Sequence, residues 1–241
     1  VDTQTDDDRI GDPVVRLHHP WPAIDTRIPV VYAYLSHARF GGDTLLQLNY
    51  VNWFPARPRQ GQTDLLGGPI DGITWRLTLA NDGTVLIADA MHNCGCYHLF
   101  YPSARLAPRE RAGEWVEEAF VPQRLPPLGA GERYALRVES VTHYVQRVVA
   151  IDAAGSAIAY RLDDYDRLRA IPLAEGGHRG LFRPGDGIVP GSERPERAFF
   201  WPMGVPEPGA MRARGRHATA FVGRRHFDDP YLFERSFAPA P

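Results

Sequence analysis

The chain has 241 residues, 44% of them hydrophobic and 23% charged, with a formal net charge of −2; these are globular values and exclude wholesale disorder. All 27 basic residues are arginine, so no side-chain amine exists to form a Schiff base or to serve as the lysine of a phosphate-binding P-loop, and both enzyme classes fall away. Near-neutral charge gives no electrostatic reason to expect a nucleic-acid partner, and no apolar run reaches the roughly 20 residues of a transmembrane segment.

With 23 glycines and 22 prolines, the chain carries more turn signals than a helical protein tolerates. The expected fold is mainly β: an antiparallel sandwich or barrel-like single domain with long Pro/Gly-rich loops and little helix. Residues 1–13 are acidic and polar and read as a flexible arm ahead of a β-rich domain over residues 14–241. The stretch opens without methionine or a secretory leader, as a processed or trimmed form would.

"IPVVYAYLSHARF" (28–40) is rich in β-branched and aromatic residues and predicts a strand. "TLLQLNYVNWF" (44–54) sets Leu46, Leu48 and Tyr50 against Gln47 and Asn49, so one buried and one polar face is expected. "GITWRLTLANDGTVLIAD" (72–89) predicts a β-hairpin turning at "NDG". A Pro/Gly-rich stretch at 122–132 is a possible seam. Residues 133–152 read as one or two strands, with 153–162 able to pair back through Gly155. "DDYDRLRAI" (163–171) predicts a helical turn capped by Asp163 or Asp164. Residues 172–195 read as a long loop, 197–209 is too proline-rich for a central strand, and "RHATAFVG" (216–223) is a late strand candidate. The arginines of 211–225 read as carboxylate partners or a surface stripe.

The chemistry concentrates in "MHNCGCYH" (91–98), which holds both cysteines. On a strand, His92, Cys94, Cys96 and His98 would share one face. A straight strand spreads such a set over roughly 20 Å, too far for one ion with bonds of about 2.0–2.3 Å. Gly95 in the middle permits a bend that would draw them together. Thiolate and imidazole donors favour zinc or copper over hard cations. The expected metal ligands are therefore His92, Cys94, Cys96 and His98, with His226 of "RRHFDDP" as a remote candidate and Asp89 as a group that could orient a histidine.

Three other readings stay open. Cys94 and Cys96 could form a strained and therefore labile disulfide. They could simply be buried, in a non-enzymatic module that binds a small molecule or a protein. Cys94 or Cys96 could also be a nucleophile activated by a neighbouring histidine. His217 and His37 read as ordinary histidines, and the adjacent His18 and His19 face opposite ways on a strand.

The pairing of "HNCGCYHLFYP" with a late "RHFDDP" resembles uncharacterised proteobacterial proteins. That resemblance implies a bacterial protein outside the cytoplasm, periplasmic or secreted, and carries no activity with it.

Overall fold

The structure is a computed structural model that describes residues 5–110, 116–152 and 159–241. Its frame is an antiparallel meander of β3 (Val30–Phe40), β4 (Asp43–Arg57), β5 (Gly68–Leu79), β6 (Val85–His92) and β7 (Leu99–Pro102). It is preceded by a hairpin, β1 (Asp12–Arg16) and β2 (His19–Asp25). β8 (Leu106–Pro108) follows, then a second hairpin of β9 (Glu132–Val138) and β10 (Val145–Asp152). β11 (Arg161–Asp164) adds to the meander alongside β3, giving the sheet order β11-β3-β4-β5-β6-β7. Short pieces complete the chain: β12 (Ile171–Pro172), β13 (His178–Arg179), α1 (Arg197–Phe200), α2 (Leu232–Ser236) and β14 (Phe237–Pro239), which pairs with β8. The domain is thus single and mainly β with little helix, and the six-stranded sheet stays open rather than closing into a barrel.

The expected hairpin over 72–89 forms, as β5 and β6 joined through residues 80–84. Its Ile73 and Trp75 face join Phe54, Leu99 and Tyr101 in a core covered by Val145 and Val148 of β10. The opposite face departs from the expected pattern. Gln47 and Asn49 are buried, whereas Leu46 is 37% exposed. Thr74, Arg76, Thr78 and Asp89 are buried as well. The segment after residue 163 folds over this face, bringing Tyr165, Leu181 and Met211 against Tyr32 and Trp53 at one end and Phe233 and Phe237 against Ile87 at the other. Each polar group left unpaired there would cost about 1–3 kcal/mol. Hydrogen bonds offset that cost: Gln47 Nε2 donates to Thr78 Oγ1 at 3.1 Å, and Ser36 Oγ to Gln47 Oε1 at 2.8 Å.

Further differences share that origin in tertiary contact. The N-terminal arm is docked from at least Asp8, whose carboxylate accepts the Val141 N–H and the Ser140 hydroxyl, each at 2.7 Å. β11 pairs parallel to β3 instead of returning onto β10; Gly155, where that return was expected, lies outside the described residues. Residues 216–223 make one isolated bridge, Ala218 to His226, rather than a strand. The stretch 122–132 is no break: Leu125 is buried and donates its N–H to Pro102 O at 3.0 Å. The turn over 163–171 forms as a 3-10 helix, Tyr165–Arg169, capped by Asp164, which accepts the Asp166 N–H at 2.8 Å.

Candidate functional site

β6 ends at His92 and β7 begins at Leu99, so the cysteines sit in the connection at one end of the sheet. The chain turns there at Gly95, which adopts φ +99. The turn is closed by two backbone bonds, Gly95 N–H to His92 O at 2.7 Å and His92 N–H to Cys96 O at 3.0 Å. A Cβ on Gly95 would lie 2.3 Å from Ala218 O, so both backbone conformation and space require glycine. Asn93 anchors the base of the turn: Thr74 Oγ1 donates to its Oδ1 at 2.7 Å, and its Nδ2 donates to Asn52 O at 3.1 Å.

The bend at Gly95 draws the cysteines together. Both are free thiols, Cys94 buried and Cys96 half-buried. Cys94 Sγ accepts the Cys96 N–H at 3.3 Å. The neighbouring Cys96 side chain, with His92 nearby, holds the Cys94 thiol below its ordinary value against the opposing effect of burial. The neighbouring Cys94 side chain, together with burial, pushes Cys96 well above the ordinary thiol value. The pair therefore loses its first proton from Cys94 and retains the second on Cys96.

The histidines of the segment separate. His92 turns to the face covered by β9 and β10, where its Nδ1 lies 3.6 Å from Asp71 Oδ1 and its Nε2 donates to His143 O at 3.2 Å. Burial disfavours the imidazolium, but the Asp71 charge outweighs it and raises His92 above its ordinary value. Burial likewise opposes ionisation of Asp71, yet the charge on His92 and the hydrogen bond from His143, 2.7 Å to Oδ2, keep its carboxyl well below the usual range. His143 stacks flat on Phe54, ring centroids 3.9 Å apart, and its Nε2 is 3.5 Å from Asp8 Oδ1.

His98 lies on the other face. Its Nε2 donates to Asp89 Oδ2 at 2.7 Å, and Asp89 is also gripped by Arg76 at 2.6 and 2.9 Å. Burial lowers His98 to about 4. Its Nδ1 is buried without a hydrogen-bond partner among the described residues. His226 is elsewhere again, half-buried with its Nδ1 3.8 Å from Asp228 Oδ2.

Of the five expected metal ligands, the fold thus gathers His92, Cys94 and Cys96 at one end of the sheet and sets His98 and His226 in separate surroundings. His92 has one ring nitrogen on a carbonyl and the other facing Asp71, so neither is turned to the sulfurs. Among the described residues no group of three or more His, Cys, Asp or Glu has metal-holding geometry. Asp89, expected to support the ligand set from three residues before His92, instead pairs with His98, and His92 faces Asp71.

Two cavities meet at the cysteines. The larger, about 330 Å³, has walls that include Leu99, Phe120, Tyr144, Phe200, Met203 and Phe221, and His98 contributes to its lining. The smaller, about 200 Å³, is lined among others by Arg57, Asp71, His92, Arg194, Glu196 and Met211. Cys94, Cys96 and Glu196 belong to both walls. Sequence reading missed Asp71, His143, Arg57 and Glu196. Asp71 alone left a trace, as a carboxylate at the head of an otherwise apolar strand; the others come from distant loops or strand ends with no pattern to mark them.

No family model, no curated protein and no solved structure matches this chain.

Proposed function

We propose that this protein is a dithiol enzyme that exchanges disulfides with a small molecule, with Cys94 as the attacking thiolate and Cys96 as the resolving thiol. One observation carries the reading: Cys94 Sγ accepts the Cys96 N–H at 3.3 Å, at a turn that opens on a cavity of about 330 Å³ lined by both cysteines. A thiolate is the nucleophile in such chemistry, and a low thiol pKa with partial access is what makes one cysteine reactive.

The Cys94 thiolate attacks one sulfur of a disulfide R–S–S–R, forming a mixed disulfide and expelling R–S⁻. Cys96 then gives up its proton and attacks the Cys94 sulfur, expelling the second R–S⁻ and closing a Cys94–Cys96 bridge. The protein dithiol is oxidised, and the disulfide is reduced to two thiols. Running the same steps backwards oxidises two thiols. A bridge across a single intervening residue is strained, so it transfers readily.

Incubation with the neutral disulfide bis(2-hydroxyethyl) disulfide tests this. Two equivalents of mercaptoethanol and an internal bridge are expected by mass spectrometry, with Cys96→Ser stalling at the mixed disulfide. Unchanged thiol release from Cys94→Ser would overturn it.

A second reading keeps the soft-metal expectation. Both cysteines and the Met211 thioether line the smaller cavity. Such a donor set suits cuprous copper better than zinc, which takes four ligands in structural sites. One equivalent of Cu(I) retained by the native chain and lost in Cys94→Ser supports it; no retention removes it.

A further inference from the structure

We propose that the smaller cavity is a subsite for a zwitterionic amino-acid head group, whose carboxylate is taken by Arg57 and whose ammonium is taken by Glu196. The inference rests on the dithiol reading for the chemistry next door, and it names the class of disulfide that the site accepts: one built from amino acids.

Arg57 is the last residue of β4 and lines the cavity of about 200 Å³. It is half-buried, and among the described residues its guanidinium has no ion pair or hydrogen bond. The two other arginines nearby are spent. Arg194 donates to the carbonyls of Pro69, Ile70 and Ser192. Arg212 donates to those of Ala210, Pro206 and Glu207. Arg57 alone of the three keeps its fork of donors open, and that fork matches a carboxylate.

Glu196 is the complementary oddity. It is 6% exposed and lines both cavities, and its carboxylate has no hydrogen bond or ion pair among the described residues. Its side chain does not cap α1, although Glu196 stands at that helix's N-cap. Space is reserved for it: Gly209 has φ +81, and a Cβ there would lie 1.9 Å from Glu196 Oε1. Partial desolvation at the cavity wall raises Glu196 above its ordinary value. A carboxylate kept there, at the wall of a cavity shared with two thiols, waits for a donor from outside the chain.

Arg57 and Glu196 form no ion pair with each other within 4 Å, so the cavity wall presents one open cation and one open anion. A simple anion would gain from Arg57 and be repelled by Glu196. A simple cation would meet the reverse. A dipolar head satisfies both groups at once, and a few oriented polar contacts of this kind fix a small ligand's pose.

The test measures the rate of Cys94–Cys96 bridge formation with four disulfides: L-cystine, cystamine, 3,3′-dithiodipropionate and bis(2-hydroxyethyl) disulfide. Each rate is divided by that disulfide's rate with free dithiothreitol, which removes intrinsic reactivity. Cystine is expected to exceed each of the others at least tenfold. Arg57→Gln should bring cystine down towards cystamine, and Glu196→Gln should bring it down towards dithiodipropionate. In parallel, calorimetry of the Cys94→Ser variant with L-cystathionine, a thioether that cannot exchange, should show binding that Arg57→Gln abolishes. Equal normalised rates would overturn the head-group proposal and leave the dithiol reading standing. Failure of all four disulfides to oxidise Cys94 would sink the dithiol reading, and cystathionine binding would then decide the subsite by itself, its absence overturning the proposal.

Discussion

His92 and His98 leave one short turn in opposite directions, and each is met by its own aspartate: His92 Nδ1 lies 3.6 Å from Asp71 Oδ1, and His98 Nε2 lies 2.7 Å from Asp89 Oδ2. The two aspartates stand on opposite faces of the β5–β6 pair, because Asp89 is paired with Arg76 and His92 with Ile73. The cysteine turn is therefore bracketed by two carboxylate–histidine pairs with different environments. On the Asp71 side the imidazole is raised above its ordinary value, and on the Asp89 side, where Arg76 already neutralises the carboxylate, burial wins and the imidazole is lowered.

The Asp89 pair sets a stability prediction. Arg76 is 2% exposed and Asp89 is its counter-charge. Asp89→Asn would leave a buried guanidinium unpaired, which costs about 3–5 kcal/mol. Urea unfolding should show that loss as a lower midpoint with an unchanged slope.

The same site sets a pH dependence. The folded-state value of His98, about 4, lies below the unfolded value of 6.5. Between these two values the unfolded chain binds the extra proton, so stability falls as pH drops from 6.5 towards 4. The loss approaches about 3 kcal/mol when integrated over that window. His98→Gln should flatten this part of the stability–pH curve even where it lowers stability overall.

Gly95 carries the geometry of the thiol pair. Gly95→Ala must place a side chain at φ +99 and against Ala218 O. Destabilisation by more than about 1 kcal/mol is expected, since alanine resists this conformation. The Cys94 alkylation rate at pH 7 should drop with it. An alanine variant with wild-type stability and reactivity would contradict the strained turn.

Cys94 should react with iodoacetamide well before Cys96 at neutral pH, because its thiol is lowered and that of Cys96 raised. Cys96→Ala removes the neighbour that lowers Cys94 most, and His92→Phe removes the nearby positive charge. Both substitutions should shift the pH midpoint of Cys94 alkylation upward, with Cys96→Ala having the larger effect.

Asp8 ties the N-terminal segment to the turn before β10. Its carboxylate accepts from Val141 N–H and Ser140 Oγ and faces His143. Asp8→Ala should cost about 1–3 kcal/mol, the price of leaving buried donors unsatisfied, and hydrogen exchange at the Val141 amide should speed up.

The amino-acid order alone determined much of the sheet. Period-two alternation marked β3 to β6, "NDG" marked the β5–β6 turn, and the lone glycine between two cysteines marked the bend, because each of these is a local rule of backbone or side-chain direction. It also grouped His92, Cys94, Cys96 and His98 around the bend, of which the first three gather at one end of the sheet. What only tertiary structure decided was which polar residues go inside. Gln47, Asn49 and Arg76 look solvent-facing on their strands, and they are buried because the chain after residue 163 closes over that face, with Phe227 and Phe233 against Arg76. For the same reason His98 looked like a partner of Cys96 and became a partner of Asp89. Arg57 and Glu196, far apart in the chain, reach one cavity through long-range packing, which no local periodicity encodes.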